Sequence, residues 1–390
     1  MKLFICLFAL VAAAMADANA DLLKAGNDQF TAKMLKEVAT ANKGKSVVLS
    51  AFSVLSPLAQ LALASEGPSH DEILNAIGLP NDDVTKSVFK DVSNQLRSVK
   101  GVELKLANRL YVKKSGEVDD EFNTMSKDVF NSDSKTVDFT QASAAAGEIN
   151  AWVEENTNNR IKDLVDPQSL NPPPDVILVN ALYFKGKWSK PFAAEDTQNL
   201  TFYGIDKTIQ IPTMYKNEKL NYAESKELDA QLVEVPYAGG ETSLLIVLPN
   251  KVDGITALVE KLKDPSALNK AVSVMESDSV NLYLPKMKIE TTTDLGDILP
   301  KVGVQKLFTS QAKLTKLLKG QELMITKAVQ KAFIEVNEQG SEAAAANVFF
   351  VVGASLHVPE REKLFRADRP FYFELREGTR TLFSGLFYQP

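Results

Sequence analysis

The sequence predicts an α+β fold in which helices pack on large β-sheets. Helical patterns dominate the first 165 residues and strand patterns dominate the rest, an order that is typical of this class. No Pro-, Gly- or Ser-rich linker, internal repeat or low-complexity tract divides the chain. We therefore expect residues 17–390 to form a single domain.

The first half contains three predicted helices and one short strand. Apolar residues at helical spacing predict the first helix, and Ser53 is the expected N-cap of the second, which continues through Leu63. The elements in chain order are a helix over Asn27–Val38, a strand over Val47–Leu49, the helix after Ser53, and a helix marked by Ile149, Trp152, Val153, Ile161, Leu164 and Val165.

Strand patterns follow. Val176–Phe184 is almost entirely apolar, which indicates a central strand that is covered on both faces. Two further strands, Gln231–Val235 and Ser243–Leu248, flank a Pro-Tyr-Ala-Gly-Gly turn. The remaining predicted strands are the alternating Val280, Leu282 and Leu284, then Val329–Val336, Phe371–Leu375 and Leu382–Tyr388.

The N-terminus is typical of a secretion signal. Lys2 precedes an apolar stretch, Leu3–Ala14, that is too short to span a bilayer comfortably. Cleavage is expected after Ala16, with Ala20 as the alternative. We therefore assign residues 1–16 to a signal peptide and expect a secreted, extracellular protein without a membrane span. Asn199 begins the one glycosylation sequon, Asn-Leu-Thr.

The composition argues against several classes of function. The net charge of −6 gives no support for nucleic-acid binding. Cys6, the one cysteine, lies in the signal, and neither His70 nor His357 has a neighbour at a spacing suited to a metal site or a catalytic triad. Both histidines are expected at the surface. We predict no enzyme activity, no metal and no cofactor.

Residues 335–359 form an unusual segment. The preceding strand is expected to end near Asn337, Gly340 can act as a hinge, and the next clear strand begins only near Phe371. Ala343–Ala346 favours helix whereas Val348–Val352 favours strand, so the segment could occupy two states. Small residues at 341, 343 and 345 share one face of a strand and would let it slide between two others. The alternative is an ordinary surface loop.

Five motifs follow one another along nearly the whole mature chain: Ser50 and Ser53 with Pro57–Gly67, the central-strand segment Asn180–Trp188, the segment Gly340–Ala346, the segment Phe365–Phe371 and the terminal strand segment Leu382–Gly385. In this order and spacing they resemble the serpin family, and within it the inhibitory serpins of insect haemolymph, in which Gly340–Ala346 corresponds to the hinge and Phe365–Phe371 to the C-terminal signature.

The resemblance implies about nine helices, three β-sheets and an exposed reactive loop over residues 338–360. It also implies a suicide mechanism, in which a serine protease attacks the loop and the cut loop inserts into the main sheet as a new strand. The hinge residues carried over are Glu338, Gly340, Ser341, Glu342, Ala343, Ala344, Ala345 and Ala346.

The family spacing also implies the reactive bond. In inhibitory members 17 residues run from the hinge glutamate to the residue that is acylated, and Glu338 to Ala354 inclusive number 17. The bond is then Ala354–Ser355. A small residue suits a small, elastase-like specificity pocket, and Val351, Val352 and Gly353 fit the same preference. Chymotrypsin-like proteases could use Leu356 instead, while a cut at Phe350 would favour substrate behaviour.

The resemblance also implies structural roles for several other residues. Asn180 with Ser50 and Ser53 is expected beneath the point where the sheet opens. Trp188, Lys286 and Glu338 are expected where insertion begins, with Lys286 paired to Glu338. Two departures stand out: Gln330 replaces a common histidine of the buried polar cluster, and Asn347, where threonine is common, could slow insertion.

The expected partner is an elastase-like serine protease, bound covalently by a monomer. Activation by heparin is not supported, because Lys86, Lys90, Arg97 and Lys100 are interleaved with acidic residues. The alternative is a non-inhibitory serpin that acts as a carrier, storage protein or chaperone, although the small hinge residues argue against it. A secreted enzyme has little support.

Overall fold

The computed structural model describes residues 2–96, 101–319, 323–341 and 362–390. This part of the chain contains nine α-helices, six of them before residue 157: α1 Lys2–Ala41, α2 Ala51–Ala64, α3 Pro68–Ile77, α4 Asp82–Leu96, α5 Asp120–Phe130, α6 Ala142–Asn156, α7 Ile255–Lys261, α8 Pro265–Ser273 and α9 Leu295–Ile298. Short 3₁₀ helices lie at Pro167–Leu170, Ala194–Asp196, Leu299–Val302 and Lys306–Phe308.

Strands make up most of the later part of the chain. They are β1 Val47–Leu49, β2 Val102–Lys113, β3 Ser134–Val137, β4 Val176–Lys187, β5 Gln198–Tyr203, β6 Thr208–Ser225, β7 Ala230–Pro236, β8 Thr242–Pro249, β9 Glu276–Pro285, β10 Met287–Asp294, β11 Lys327–Val336, β12 Gly340–Ser341, β13 Lys363–Arg366, β14 Phe371–Glu377 and β15 Arg380–Phe387. The α+β class predicted from the sequence is confirmed.

The strands form a six-stranded and a nine-stranded hydrogen-bonded sheet. The smaller one has the order β10-β11-β4-β2-β3, with β12 paired to β4. The larger one runs β1-β15-β14-β8-β7-β6-β9-β13, with β5 on β6. The long strand β6 pairs with β5 over Thr208–Thr213, with β9 over Thr213–Tyr222 and with β7 over Asn221–Ser225. The three expected sheets are therefore the six-stranded sheet and two halves of the larger one, joined by β6.

Strand β4 is central, as its apolar composition predicted. Residues 176–184 are all buried. Their side chains alternate between two hydrophobic clusters: Leu178 and Leu182 face the main core, whereas Ile177 and Val179 lie beneath α6. A strand covered on both faces has no solvent side, which explains why it reads as a continuous apolar run.

Three local predictions differ from the structure. The N-cap of α2 is Ser50, whose Oγ accepts the N–H of Ser53, so the predicted cap lies three residues too late. The predicted helix through Val165 ends at Asn156, because Asn158 and Asn159 adopt positive φ. Ile161, Leu164 and Val165 are buried as an irregular segment instead. Helix α1 is longer than the predicted Asn27–Val38.

Seven strands were not predicted from the sequence: β2, β3, β5, β6, β10, β12 and β13. The twelve-residue β2 and the short β3 lie in the half described above as helical, and β13 lies before Phe371. Strand β2 alternates apolar and polar residues only over Val102–Leu106, a short pattern that indicates a strand. In the described part of the chain, no helix combines the length and the apolar content needed to cross a membrane.

Candidate functional site

The two central strands of the six-stranded sheet separate at one end. Strand β11 pairs in parallel with β4 only as far as Phe333 and Tyr183. Past this point β4 pairs with Gly340 and Ser341 of β12, which run antiparallel to it. Strand β2 occupies the other edge of β4, so β12 lies on the β11 side. We call this opening, beside residues 184–187 of β4, the upper gap.

Gly340 fits the upper gap because it has no side chain. Its φ is +142°, and a Cβ atom here would lie 2.0 Å from the carbonyl oxygen of Gly186. Residues with a Cβ rarely adopt such a backbone angle. Any substitution at Gly340 would therefore push β12 away from β4.

Ser341 is fully buried and is joined to an aromatic stack. Its Oγ lies 2.7 Å from the hydroxyl oxygen of Tyr237, with which it shares a hydrogen bond. The ring of Tyr237 stacks on that of Trp188, with centroids 4.4 Å apart. Burial raises the pKa of Tyr237, so its phenol stays neutral. The site accepts a small polar side chain and has no space for a charged one.

Glu338 is clamped at the entrance of the gap. Its carboxylate lies 2.9 Å from Nζ of Lys286 and accepts a hydrogen bond from Oγ1 of Thr197 at 3.0 Å. Partial burial raises the pKa of this carboxyl, but the hydrogen bonds from Lys286, from its own backbone and from Thr197 outweigh it, so the pKa is lowered. Trp188 adds an Nε1–H bond to the carbonyl oxygen of Asn337 at 2.9 Å.

A buried polar cluster ties β4 to β11 farther along. Asn180 and Gln330 are opposite one another in the parallel register, and Gln330 donates to Oδ1 of Asn180 at 2.7 Å. Ser53 donates to the same oxygen at 2.8 Å, and Gln330 bonds the backbone of Ser50 in both directions. Asn180 also donates to Asn108 of β2. We call these five residues the seam cluster.

The remaining residues singled out from the sequence fall into three groups: exposed, part-exposed and outside the described residues. Asn199 is exposed on β5. His70 is only part-exposed, because its ring nitrogens contact Asp82 at 2.7 Å and Asp71 at 3.1 Å. The other positions lie outside the described residues: Glu342, Ala343, Ala344, Ala345, Ala346, Asn347, Phe350, Val351, Val352, Gly353, Ala354, Ser355, Leu356 and His357.

Sequence reasoning did not find three residues that the site uses. Tyr237 was read only as part of a turn, and neither Thr197 nor Asn108 lies in a recognised motif. Each acts through a partner more than 70 residues away in sequence, which no local pattern reports. Among the described residues, no group of three or more His, Cys, Asp or Glu side chains could hold a metal ion.

Comparisons with known proteins agree with this geometry. The sequence model for "Serpin (serine protease inhibitor)" matches residues 25–390. The antitrypsin of Bombyx mori is 52% identical over 390 residues, covering 99% of this chain and 100% of the relative. Antichymotrypsin-2 of the same species is 54% identical over 369 residues, covering 94% and 98%.

A solved structure is similar over nearly the full length. Serpin48 of the insect Tenebrio molitor, described as a highly specific serpin, superimposes with a TM-score of 0.86 at 35% identity. The match covers 95% of this chain and 98% of the other. The family match, the relatives and the sheet with a strand already begun in its upper gap lead to one conclusion: this chain belongs to the serpin family of serine protease inhibitors.

Proposed function

We propose that the chain is a secreted suicide inhibitor of elastase-like serine proteases, with Ala354–Ser355 as its reactive bond. The observation that carries this proposal is β12, a two-residue strand that already pairs with β4 in the upper gap. Insertion of the following residues would extend a strand that exists, rather than begin a new one. Residues 1–16 would be removed as the signal peptide, and Asn199, exposed on β5, is accessible to a glycan.

The proposed reaction begins as ordinary proteolysis. The protease serine attacks the carbonyl carbon of Ala354, the bond to the nitrogen of Ser355 breaks, and Ser355 leaves with a new amino group. Ala354 remains esterified to the protease. The freed loop then extends β12 between β4 and β11, antiparallel to both, a form of strand addition for which serpins are a known case. Antiparallel pairing is slightly more stable per residue than the parallel pairing it replaces.

The register of β12 defines which residues would meet. Ser341 lies opposite Gly186, so each step forward along the loop is one step back along β4. Continued without a shift, this register brings Val351 opposite Val176, the first residue of β4. Twelve residues, 342–353, span about 40 Å at the usual rise of a strand. The acylated Ala354 would thus be carried past the far end of the sheet.

The loop and β4 have compatible residues in this register. Glu342 would lie opposite Lys185, and Phe349 would lie opposite Leu178 of the main core. Ala343 and Ala345 would lie opposite Phe184 and Leu182, and their small side chains would need little space beside these two large residues. This agreement along the strand supports insertion rather than an ordinary surface loop.

Asn347 would meet the seam cluster in the same register. It falls opposite Asn180, and directly opposite residues of an antiparallel pair share one face. Insertion would separate Asn180 from Gln330 by one strand spacing, to about 10 Å, which breaks their hydrogen bond. The amide of Asn347 could then bond both of them. We therefore propose that Asn347, which departs from the common threonine, suits the cluster that contains Gln330.

We also propose the class of protease that the chain inhibits. Ala354, with Val351, Val352 and Gly353 before it, offers small side chains to a narrow specificity pocket. The names of the two Bombyx relatives point to trypsin and to chymotrypsin. Sequence identity to these relatives therefore does not indicate which protease this chain would inhibit. Cleavage after Leu356 by a chymotrypsin-like protease is the alternative. The chain would act as a monomer without a cofactor.

The test is to mix the purified protein with pancreatic elastase and separate the products by denaturing electrophoresis. We expect a covalent band at the summed mass and a loss of elastase activity. Clean cleavage with full residual activity would indicate a non-inhibitory serpin and would contradict the proposal. N-terminal sequencing of the released fragment should begin at Ser355.

A specificity variant tests the assigned bond. Ala354→Lys should lower the inhibition of elastase by at least about tenfold and create inhibition of trypsin, because lysine suits a pocket that carries a buried carboxylate. Leu356→Ala is the matched control and should leave elastase inhibition unchanged. If Leu356→Ala, and not Ala354→Lys, lowers inhibition, then the bond lies two residues later.

A further inference from the structure

A short connection at the end of β4 holds the residues that lead into β12. The backbone N–H of Trp188 donates to the carbonyl oxygen of Gln339 at 2.9 Å. In the same way, the N–H of Phe192 donates to the carbonyl oxygen of Glu338 at 2.9 Å. The indole N–H of Trp188, described above, makes a third bond to the same segment. We call residues 188–192 the bracket.

A buried lysine of β6 contacts the bracket at three points. Nζ of Lys216 donates to the carbonyl oxygen of Lys190 at 3.1 Å. The same ammonium lies 4.5 Å from the ring centroid of Phe192 and 6.0 Å from that of Trp188. The side chain of Lys216 is only 10% exposed, and a desolvated cation is attracted to aromatic faces more strongly than an exposed one. These contacts bind the middle and both ends of the bracket to β6.

Glu218 balances the charge of Lys216 on the same strand. One carboxylate oxygen of this buried glutamate lies 2.7 Å from Nζ of Lys216, and the other lies 3.3 Å from Nζ of Lys190 at the surface. The cost of removing two opposite charges from water roughly cancels their attraction, so a pair of apolar residues would stabilise the fold equally well. What only the ammonium supplies is the bond to the bracket carbonyl and the attraction to the two rings.

The bracket connects Lys216 to β12. Trp188 stacks on Tyr237, whose hydroxyl shares a hydrogen bond with Ser341. A displacement of Trp188 would therefore act on the buried serine of β12 as well as on the three bonds to residues 337–339. Lys216 acts on the loop through these groups.

We infer that Lys216 is a positioning residue for loop insertion, because its ammonium holds the bracket where it can bind residues 337–339 and keep β12 in the upper gap. Without that ammonium, β12 would leave the gap more often, and more of the attacking protease would complete hydrolysis before the loop inserts. This effect on inhibition rests on the proposed function. The effect on the uncleaved protein does not need a protease.

The contact between Lys216 and the bracket should depend on pH. Burial lowers the pKa of Lys216, Glu218 raises it and Lys190 lowers it, and the net shift is downward from 10.5. The ammonium is therefore lost at a lower pH than that of an exposed lysine. We expect the bracket to loosen as the pH rises toward 10.5, whereas an arginine at this position would stay charged.

The first test is hydrogen exchange in the uncleaved protein, measured by mass spectrometry with fragmentation to single residues. Lys216→Met keeps the length of the side chain but not the charge, and the amides of Trp188 and Phe192 should exchange about tenfold faster than in wild type. In a titration with elastase, the consumption per protease should rise about twofold. Lys219→Met changes an exposed lysine of the same strand and is the matched control, which should leave both quantities unchanged.

A double variant separates positioning from simple neutralisation of charge. Lys216→Met alone leaves Glu218 buried beside one exposed lysine, which would lower the stability of the whole protein. Lys216→Met combined with Glu218→Gln removes both charges, so it should regain much of the thermal stability while the bracket amides still exchange fast. Wild-type exchange in either variant would overturn the inference.

The pH profile adds a measurement that a purely structural lysine would not change. With Trp152→Phe, Trp188 is the one tryptophan left in the chain. Its quenching by acrylamide should rise between pH 7 and about pH 10, and should stay flat when Lys216→Arg is added. The same rise in both proteins would contradict the inference. If the exchange results hold but wild-type protein forms no covalent complex with elastase, the proposed function fails and the role of Lys216 in holding the bracket stands.

Discussion

The upper gap and the seam cluster occupy the same pair of strands, but they hold those strands in opposite ways. In the upper gap β4 and β11 have already separated, and Gly340 and Ser341 fill the space. At the seam cluster the strands are paired, and Gln330 bonds Asn180 directly. Insertion would therefore start where no strand pairing must be broken and would meet its resistance five to six residues later.

The contrast also explains why the two regions have different side chains. In the proposed mechanism the upper gap would receive the entering strand, which suits a glycine, a small serine and a tyrosine hydroxyl that can accept or donate. The seam cluster would have to be satisfied both before and after a strand passed through it. Amides suit that role, because each carries donors and acceptors that can change partners.

The largest effect is expected from a charge in the upper gap. Ser341→Glu would place an unpaired carboxylate in a fully buried site, a penalty of about 3–5 kcal/mol. We expect β12 to leave the gap and the protein to become mainly a substrate, with more than about five molecules consumed per protease inhibited. Titration against elastase measures this ratio.

Ser341→Ala is the control for that variant. It removes the bond to Tyr237 but fits the site, so inhibition should persist with a ratio near that of wild type. If Ser341→Glu inhibits as well as Ser341→Ala, then insertion does not pass through the upper gap as described.

A smaller effect is expected at the seam cluster. Asn347→Leu has nearly the same size but would leave the amides of Asn180 and Gln330 unpaired in the inserted form, at a cost of about 1–3 kcal/mol. Because slower insertion gives the protease time to complete hydrolysis, the consumption per protease should rise about twofold to fourfold. Asn347→Thr, which keeps a polar group, is the control. An unchanged ratio for both variants would show that Asn347 does not reach the cluster.

The smallest effect is expected from the clamp at Glu338. A lowered carboxyl pKa contributes stability above the unfolded value of about 4.3 and loses it as the pH falls through the folded value. Glu338→Gln should therefore be less stable than wild type by about 0.5 kcal/mol at pH 7, since Lys286 is part-exposed. The difference should begin to shrink near the unfolded value of about 4.3 and should vanish only below the lowered pKa of the folded carboxyl.

Thermal unfolding at a fixed scan rate, at pH 7 and at about pH 3, measures the contribution of this clamp to stability. Glu335→Gln is the matched control, because it changes a nearby glutamate that takes no part in the bonds to Lys286 and Thr197. A constant difference between Glu338→Gln and wild type at both pH values would show that the carboxylate does not act through its charge.

The sequence predicted the two central strands of the six-stranded sheet, β4 and β11, but not the other four. The apolar run of β4 predicted a central strand, because a strand buried on both faces needs apolar residues throughout. The family motifs carried Ser50, Ser53, Asn180, Trp188, Lys286 and Glu338 to positions that the fold brings to the β4–β11 pair. The sliding of the small residues after Ser341 stays a prediction, because residues 342–361 lie outside the described part of the chain. These signals lie within short stretches of chain, where spacing and side-chain size are enough to read them.

Only the tertiary structure decided which distant groups complete the site. Tyr237 meets Ser341, Thr197 meets Glu338, and Lys216 meets Phe192. Each contact depends on strand order and register, which are set by the packing of the whole core and not by any local pattern. The same reason explains the register that would bring Asn347 to Asn180: the sequence supplies both amides, and the pairing of β12 with β4 sets the distance between them along the sheet.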